Sequence, residues 1–253
     1  MPESPVLLEG AIAARAAIEG RHRDVYRLWF DRDRDDHTLT HLKKLCKREN
    51  VRYSPAGRAT LDEQAQGTSH GGVLLEAGER RFVGLGDLLP EAIGRPPFLC
   101  MLDGVEDPFN FGQAVRSLWA AGCDGLIVRP RNWTTASAVI ARSSAGATER
   151  IPMAVADTPD QAADFFEPHG LHTVAATANE GTALPEATLQ RPLLLCIGGE
   201  RRGLRRSFLK RAEAVHIPYG REFRGDLGTV AATALLAFAV PCPPAASGSA
   251  APA

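Results

Sequence analysis

The sequence predicts an α/β protein: a parallel sheet covered by helices on both faces, preceded by a small α/β unit. Three observations carry this reading. Beyond residue 97, strand-like and helix-like segments alternate, the pattern of a sheet built through crossover helices. The strand-like segments there are continuously apolar, as strands buried on both faces require. Between the two units, Gly84, Gly86, Pro90, Gly94, Pro96 and Pro97 cluster in one short stretch that punctuates the chain. With 253 residues, 44% of them hydrophobic, the chain can bury such a core.

In the first unit, residues 7–18 have the apolar spacing of a helix, and 25–30 read as a strand. Residues 35–50 predict a polar helix with Leu39, Leu42 and Leu45 on one face, and 51–53 and 72–75 predict short strands. Beyond the boundary, strands are predicted at 98–102, 125–128, 151–155, 173–177, 193–197 and 214–217. Helices are predicted at 110–121, 135–142, 159–166 and 204–212, with an apolar helix at 229–240 closing the unit. Residues 241–253 are rich in Pro, Ala and Ser without periodicity and read as a disordered tail.

Basic residues number 29 and acidic residues 30, a net charge of -1. That excludes a uniformly basic coat but is silent about local patches. Only four of the basic residues are lysine, leaving 25 arginines. The skew fits either a coding bias or phosphate recognition, for which the planar guanidinium is suited. The five cysteines form no C-x-x-C and no zinc-like spacing with histidine. They read as buried thiols in a reducing compartment, with no metal site. No signal peptide and no apolar run of bilayer length is evident, so a cytoplasmic protein without membrane contact is expected.

In a parallel sheet, ligands gather beyond the carboxyl ends of the strands. Three loops qualify. The first runs from Asp103 through Asn110 to Gly112 and leads into a helix carrying Arg116. The second is Gly198-Gly199-Glu200-Arg201-Arg202-Gly203-Leu204, and the third runs from Pro218-Tyr219-Gly220 to Gly225-Asp226-Leu227-Gly228-Thr229. Glycines let backbone approach a ligand closely, and three such loops in one sheet point to a nucleotide-like ligand. No G-x-x-x-x-G-K-[ST] occurs, no G-x-G-x-x-G follows a strand, and no G-x-S-x-G exists. A P-loop is thereby excluded, and an NAD-type oxidoreductase or an α/β-hydrolase is disfavoured. Residues 201–211 hold six basic groups and no acidic one. Solvated faces interleave both signs, so this stretch beside the ligand loops matches a polyanion such as RNA better.

The three loops, taken together, resemble a known family. Asn110-x-Gly112-x-x-x-Arg116, with Gly122 after the helix, resembles the first motif of the SpoU (TrmH-type) RNA ribose 2′-O-methyltransferases, of the SPOUT superfamily. Ser144-Ala145-Gly146-Ala147 is similar to the family's small-residue segment. Gly198-x-Glu200-x-x-Gly203-Leu204 resembles the second motif, and Ile217-Pro218, Leu227 and Val230-Ala231-Ala232 resemble the third. In the first unit, Glu9-Gly10 and His70-Gly71-Gly72-Val73 resemble the family's substrate-binding domain, which is related to ribosomal proteins that bind kinked RNA. His70 itself reads as a loop cap rather than an RNA contact.

The resemblance implies an RNA substrate-binding domain at 1–85 and a methyltransferase domain at 97–240, whose C-terminal segment threads a trefoil knot. It also implies a homodimer. S-adenosylmethionine would be held mostly by backbone at Gly198, Gly199, Gly203, Ile217, Pro218, Leu227 and Thr229. Asn110, Arg116 and Glu200 would carry catalysis, and Arg201, Arg202, Arg205 and Arg206 would grip RNA phosphates. Arg116 has two possible roles, as base or as a cation stabilising the developing alkoxide, because an ordinary guanidinium keeps its proton above about pH 12. Many members have Ser-Leu-Asn where this chain has Asp226-Leu227-Gly228. The hydroxyl and amide are lost there, with Thr229 as a candidate replacement for the hydroxyl. The expected activity is 2′-O-methylation of ribosomal RNA. The alternatives are a transfer RNA substrate or a catalytically lapsed RNA binder.

Overall fold

A computed structural model describes residues 5–67, 70–131, 134–199, 202–222 and 225–241. In chain order the first unit contains β1 (Val6–Glu9), α1 (Ala11–Gly20), β2 (Val25–Asp31), α2 (His37–Arg48), β3 (Arg52–Ala56), α3 (Arg58–Gln64) and β4 (Val73–Ala77). Its four strands are ordered β1-β4-β2-β3. β4 runs antiparallel to both neighbours, while β2 and β3 are parallel.

The helix expected at 7–18 divides into a strand and a helix. The apolar run at its start satisfies either period, and the free edge of β4 decides: Val6 pairs with Ala77 and Leu8 with Leu75. Gly10, at φ 91, then turns the chain into α1, a conformation that a side chain would disfavour. α2 starts where Asp36 accepts the Leu39 N–H at 2.8 Å, an N-cap, and buries Leu39, Leu42 and Leu45 as their spacing predicts.

The connection contains a 3-10 turn, Leu85–Leu88, and α4 (Pro90–Ile93). The second unit follows with β5 (Phe98–Asp103), α5 (Pro108–Ala120), β6 (Gly125–Val128), α6 (Ser137–Ser143), α7 (Ala147–Arg150), β7 (Met153–Val155) and α8 (Pro159–Phe166). It continues through β8 (His172–Thr177), β9 (Thr182–Ala183), β10 (Leu193–Gly198), α9 (Arg206–Leu209), β11 (Glu213–His216) and α10 (Thr229–Ala239). Seven strands, ordered β7-β6-β5-β10-β8-β11-β9, pair in parallel throughout. β5 shows why its sequence is apolar at every position. Phe98, Cys100 and Leu102 pack on one side with α5 and α10, and Leu99 and Met101 pack on the other with Phe166 and Phe208.

The helix expected at 204–212 contracts to the single turn α9. Only Leu204 and Phe208 are buried there, and so narrow an apolar face gives a longer helix little packing to hold it. Cys46, Cys100, Cys123 and Cys196 are all buried free thiols, and burial pushes Cys123 up to about 12.

The two units are clasped by arginines. Arg23 donates to both carboxylate oxygens of Glu149, at 2.7 and 3.2 Å, with both side chains buried. Arg142 reaches Glu9 at 3.0 Å and Arg150 reaches Glu19 at 2.8 Å. Arg80 donates to the carbonyls of Thr148 and Ile151, and burial lowers it to about 10. Gly20 abuts α7 so closely that a Cβ would overlap the Glu149 carbonyl.

Candidate functional site

The carboxyl ends of β8, β10 and β11 open into a cavity of about 400 Å³, within the range of cofactor sites. Of the residues expected to hold a cofactor, Gly198, Gly199, Gly203, Ile217, Leu227 and Thr229 line it, and the exposed Pro218 does not. Its geometry rests on backbone meeting backbone. The Gly199 N–H donates to the Asp103 carbonyl at 2.7 Å, and the Gly203 N–H to the Gly199 carbonyl at 3.0 Å. A Cβ on Gly199 would overlap the carbonyl of Gly104. Gly199→Ala is therefore expected to push apart the loops after β5 and β10 and to weaken S-adenosylmethionine binding by about tenfold or more, since a misfit against backbone costs at least about 1–3 kcal/mol. Isothermal titration calorimetry checks this.

The rest of the lining fits the same cofactor. Ile197, Val215, Ile217, Leu227 and Leu236 offer an apolar wall for an adenine ring, and Asp226 is the one charged side chain among the described lining residues. A lone carboxylate suits a ligand carrying a sulfonium and an ammonium. The Leu227 N–H donates to the Tyr219 hydroxyl at 3.0 Å, which ties the two ends of the third loop to each other at the cavity wall.

Two of the expected catalytic residues, Asn110 and Arg116, stand apart from this cavity. Asn110 lies in the first turn of α5, its backbone N–H donating to the Asp107 carboxylate at 2.8 Å. Arg116 is exposed further along α5, and neither residue lines the cavity. Glu200 and Arg201 lie outside the described residues. Arg202, Arg205 and Arg206 are exposed at α9 beside the cavity rim. The basic stretch is narrower than its sequence suggests, because Arg211 is held by Asp164 at 2.6 Å and Glu167 at 2.8 Å, which raise it.

His70 is 1% exposed, takes the Gly72 N–H on Nδ1 at 3.2 Å and meets Asp62 through Nε2 at 2.7 Å. Those are the contacts of a loop cap. The first unit's cationic face was hidden by its neutral sum: α2 exposes His37, His41, Lys44, Lys47 and Arg48 and contains no acidic residue. The sequence signal for it was the grouping of three of the four lysines in this one helix.

A sequence profile of the SpoU rRNA Methylase family matches residues 97–225, just over half of the chain. The chain belongs to the SpoU rRNA methylase family. A second profile, RNA 2′-O ribose methyltransferase substrate binding, matches residues 7–83 of this family member. The 23S rRNA (guanosine-2′-O-)-methyltransferase RlmB of Shewanella oneidensis is 30% identical over 202 residues, spanning 79% of this chain and 82% of that protein. An uncharacterized tRNA/rRNA methyltransferase of Mycobacterium tuberculosis is 33% identical over 182 residues, spanning 71% of this chain and 56% of its own length. In fold, this SpoU family chain is similar to the SpoU methyltransferase AviRb from Streptomyces viridochromogenes, solved in complex with AdoMet. The TM-score is 0.74 over 93% of this chain and 89% of that one, at 21% identity.

Proposed function

We propose that this SpoU family protein methylates a ribose 2′-hydroxyl of RNA, with ribosomal RNA favoured over transfer RNA. The observation that carries the reading is the cavity at the ends of β8, β10 and β11, whose glycine loop meets backbone to backbone and whose described lining bears the single charge of Asp226. The printed activity of the Shewanella relative favours ribosomal RNA. Bound there, S-adenosylmethionine supplies an electrophilic methyl group. Asn110 orients the acceptor ribose, so that positioning supplies much of the acceleration. Arg116 holds the adjoining phosphate and stabilises the alkoxide as the hydroxyl proton leaves, or takes that proton itself. Glu200 keeps its proposed role as the anchor of Asn110 or Arg116. Arg201, Arg202, Arg205 and Arg206 grip phosphates, while residues 1–85 recognise the RNA and 97–240 carry the chemistry.

The reading includes a homodimer. Trp119 on α5 and Leu235 and Phe238 on α10 are 41%, 48% and 64% exposed. Arg191 joins the ends of the two helices, donating to the carbonyls of Gly122 at 2.9 Å and Pro241 at 3.1 Å. Trp119 and Phe238 each stand three residues before one of these carbonyls, exposed apolar side chains of the kind that mark an interface. A second copy there would cover the α5–α10 side on which Phe109 and Arg116 are exposed, seven residues and so two turns apart. The wild type is expected to sediment as a dimer and Phe238→Glu as a monomer. The trefoil threading of the C-terminal segment belongs to the same proposal, as does a cytoplasmic location. No helix among the described residues is long and apolar enough to cross a membrane, and none of their His, Cys, Asp and Glu side chains form a group of three or more that could hold a metal ion.

Tritium transfer from labelled S-adenosylmethionine to total RNA, followed by mapping of 2′-O-methyl sites in cells with and without the gene, tests the function. A new site in ribosomal RNA supports it. Absence of transfer together with absence of calorimetric heat on adding S-adenosylmethionine favours the lapsed RNA binder, which the Asp226-Leu227-Gly228 departure makes the second reading.

A further inference from the structure

A second cavity, of about 370 Å³, lies where the two units meet. The catalytic unit contributes an apolar wall of Phe111, Val128, Ile140 and Met153. These residues share the side of the large sheet that holds Ile197, Val215 and Leu236 of the cofactor cavity. The buried Arg23–Glu149 pair contributes to the lining. Phe82, from the connection, completes it and keeps 42% exposure. Its neighbour is fixed, the Val83 N–H donating to the Met153 carbonyl at 2.8 Å. A half-exposed aromatic ring on an anchored backbone beside an apolar wall is a platform on which a planar base stacks.

The place of this cavity points to its ligand. Val128 ends β6 and Gly198 ends β10, with β5 between them, so the two cavities stand two strand spacings apart, roughly 10 Å. The first turn of α5 divides them. Phe111 from that turn lines the second cavity, and Asn110 precedes it in the chain. A nucleotide whose ribose lies over that turn has its base on the side of the second cavity and its 2′-hydroxyl on the side of the first. The polar lining narrows the base. Glu79 offers a carboxylate acceptor and Arg131 a planar donor fork. A purine edge that carries donors and acceptors together answers both, as guanine does with its N1–H and N2–H₂ donors and its O6 and N7 acceptors.

We propose that the interdomain cavity receives the extruded purine base of the nucleotide whose ribose is methylated. The proposal rests on the methyl-transfer reading above. It makes the junction between the two units a specificity site, with Phe82 as stacking platform and Glu79 and Arg131 as edge readers.

The test uses the full-length protein, tritiated S-adenosylmethionine and total RNA from cells lacking the gene. The labelled product is digested to nucleosides, and the tritium should reside in a 2′-O-methylated purine. Phe82→Ala should lower kcat/KM for RNA by about tenfold or more, the scale of one lost stacking contact, while S-adenosylhomocysteine affinity and melting temperature stay close to wild type. Phe82→Trp should keep most of the rate, a rescue that a general loss of packing would not show. Label in a pyrimidine nucleoside, or an unchanged kcat/KM in Phe82→Ala, overturns the base site and leaves the methyl-transfer reading standing. A wild-type protein that transfers no label overturns that reading, and the base site falls with it.

Discussion

Arg116→Ala is expected to reduce methyl transfer by about 100-fold to 1000-fold, the scale of losing one preorganised stabiliser of developing charge, while S-adenosylmethionine still binds. The separation follows from the geometry. Arg116 is exposed on α5 and absent from the residues lining the cofactor cavity, so its removal leaves that cavity's walls intact. A solvated, exposed arginine also contributes little to folding, and the melting temperature should hardly move. Arg116→Lys separates the two roles. A lysine keeps a positive charge near phosphate or alkoxide but loses the planar fork, and it sheds its proton more readily than arginine. Partial recovery with an unchanged pH profile assigns Arg116 the role of a cation. Recovery that rises with pH through the lysine range assigns it the role of a base. Full activity in Arg116→Ala, measured as tritium transfer at saturating cofactor, removes the residue from the mechanism.

The sequence was most legible where one physical demand acts on a segment. The strands β5, β6 and β10 of the large sheet are buried on both sides, so an unbroken run such as Phe98-Leu99-Cys100-Met101-Leu102 has a single reading. The loop after β10 was legible because glycine is required where backbone meets backbone, as Gly199 meets Gly104. Legibility failed where two demands compete. Residues 7–18 carry an apolar pattern that satisfies both a strand and a helix, and only the edge of β4, some 65 residues away in the chain, chooses between them. Leu204 to Ala212 has helical spacing at Leu204 and Phe208, but these two are the only residues buried there, and a helix needs a wider packed face to extend. The arginine excess was legible as a fact and not as a cause. Phosphate recognition is one use of the planar guanidinium, and the structure shows another: Arg23, Arg80, Arg142 and Arg150 join the two units. Nothing local in the sequence distinguishes an arginine that meets RNA from one that meets Glu149.

That clasp sets the largest expected loss of stability. Glu149→Gln should destabilise the fold by about 3–5 kcal/mol, the cost of leaving a buried charge without its partner. Glu149 and Arg23 keep only 1% and 5% of their side-chain surface exposed. Both carboxylate oxygens accept from Arg23, and the buried Arg80 guanidinium lies 4.0 Å away. A neutral amide preserves the shape of the side chain but presents an N–H to one of these cations. In a chain of this size each kcal/mol lowers the melting temperature by roughly 2–4 °C, so calorimetric scans should show a drop of about 6 °C or more. Replacing both members, Arg23→Met with Glu149→Leu, should recover part of the loss, because an apolar pair carries no desolvation penalty while the buried Arg80 keeps its two carbonyl partners but loses the neighbouring carboxylate. If the double variant is as unstable as the single one, the ion pair is not what holds the junction, and the close seating of Gly20 on the Glu149 backbone has to account for it. If Glu149→Gln melts within a degree of the wild type, the two units are held by the remaining pairs of Arg142 with Glu9 and Arg150 with Glu19. Those pairs are more exposed, so the coupling between RNA recognition and catalysis would then weaken as salt rises.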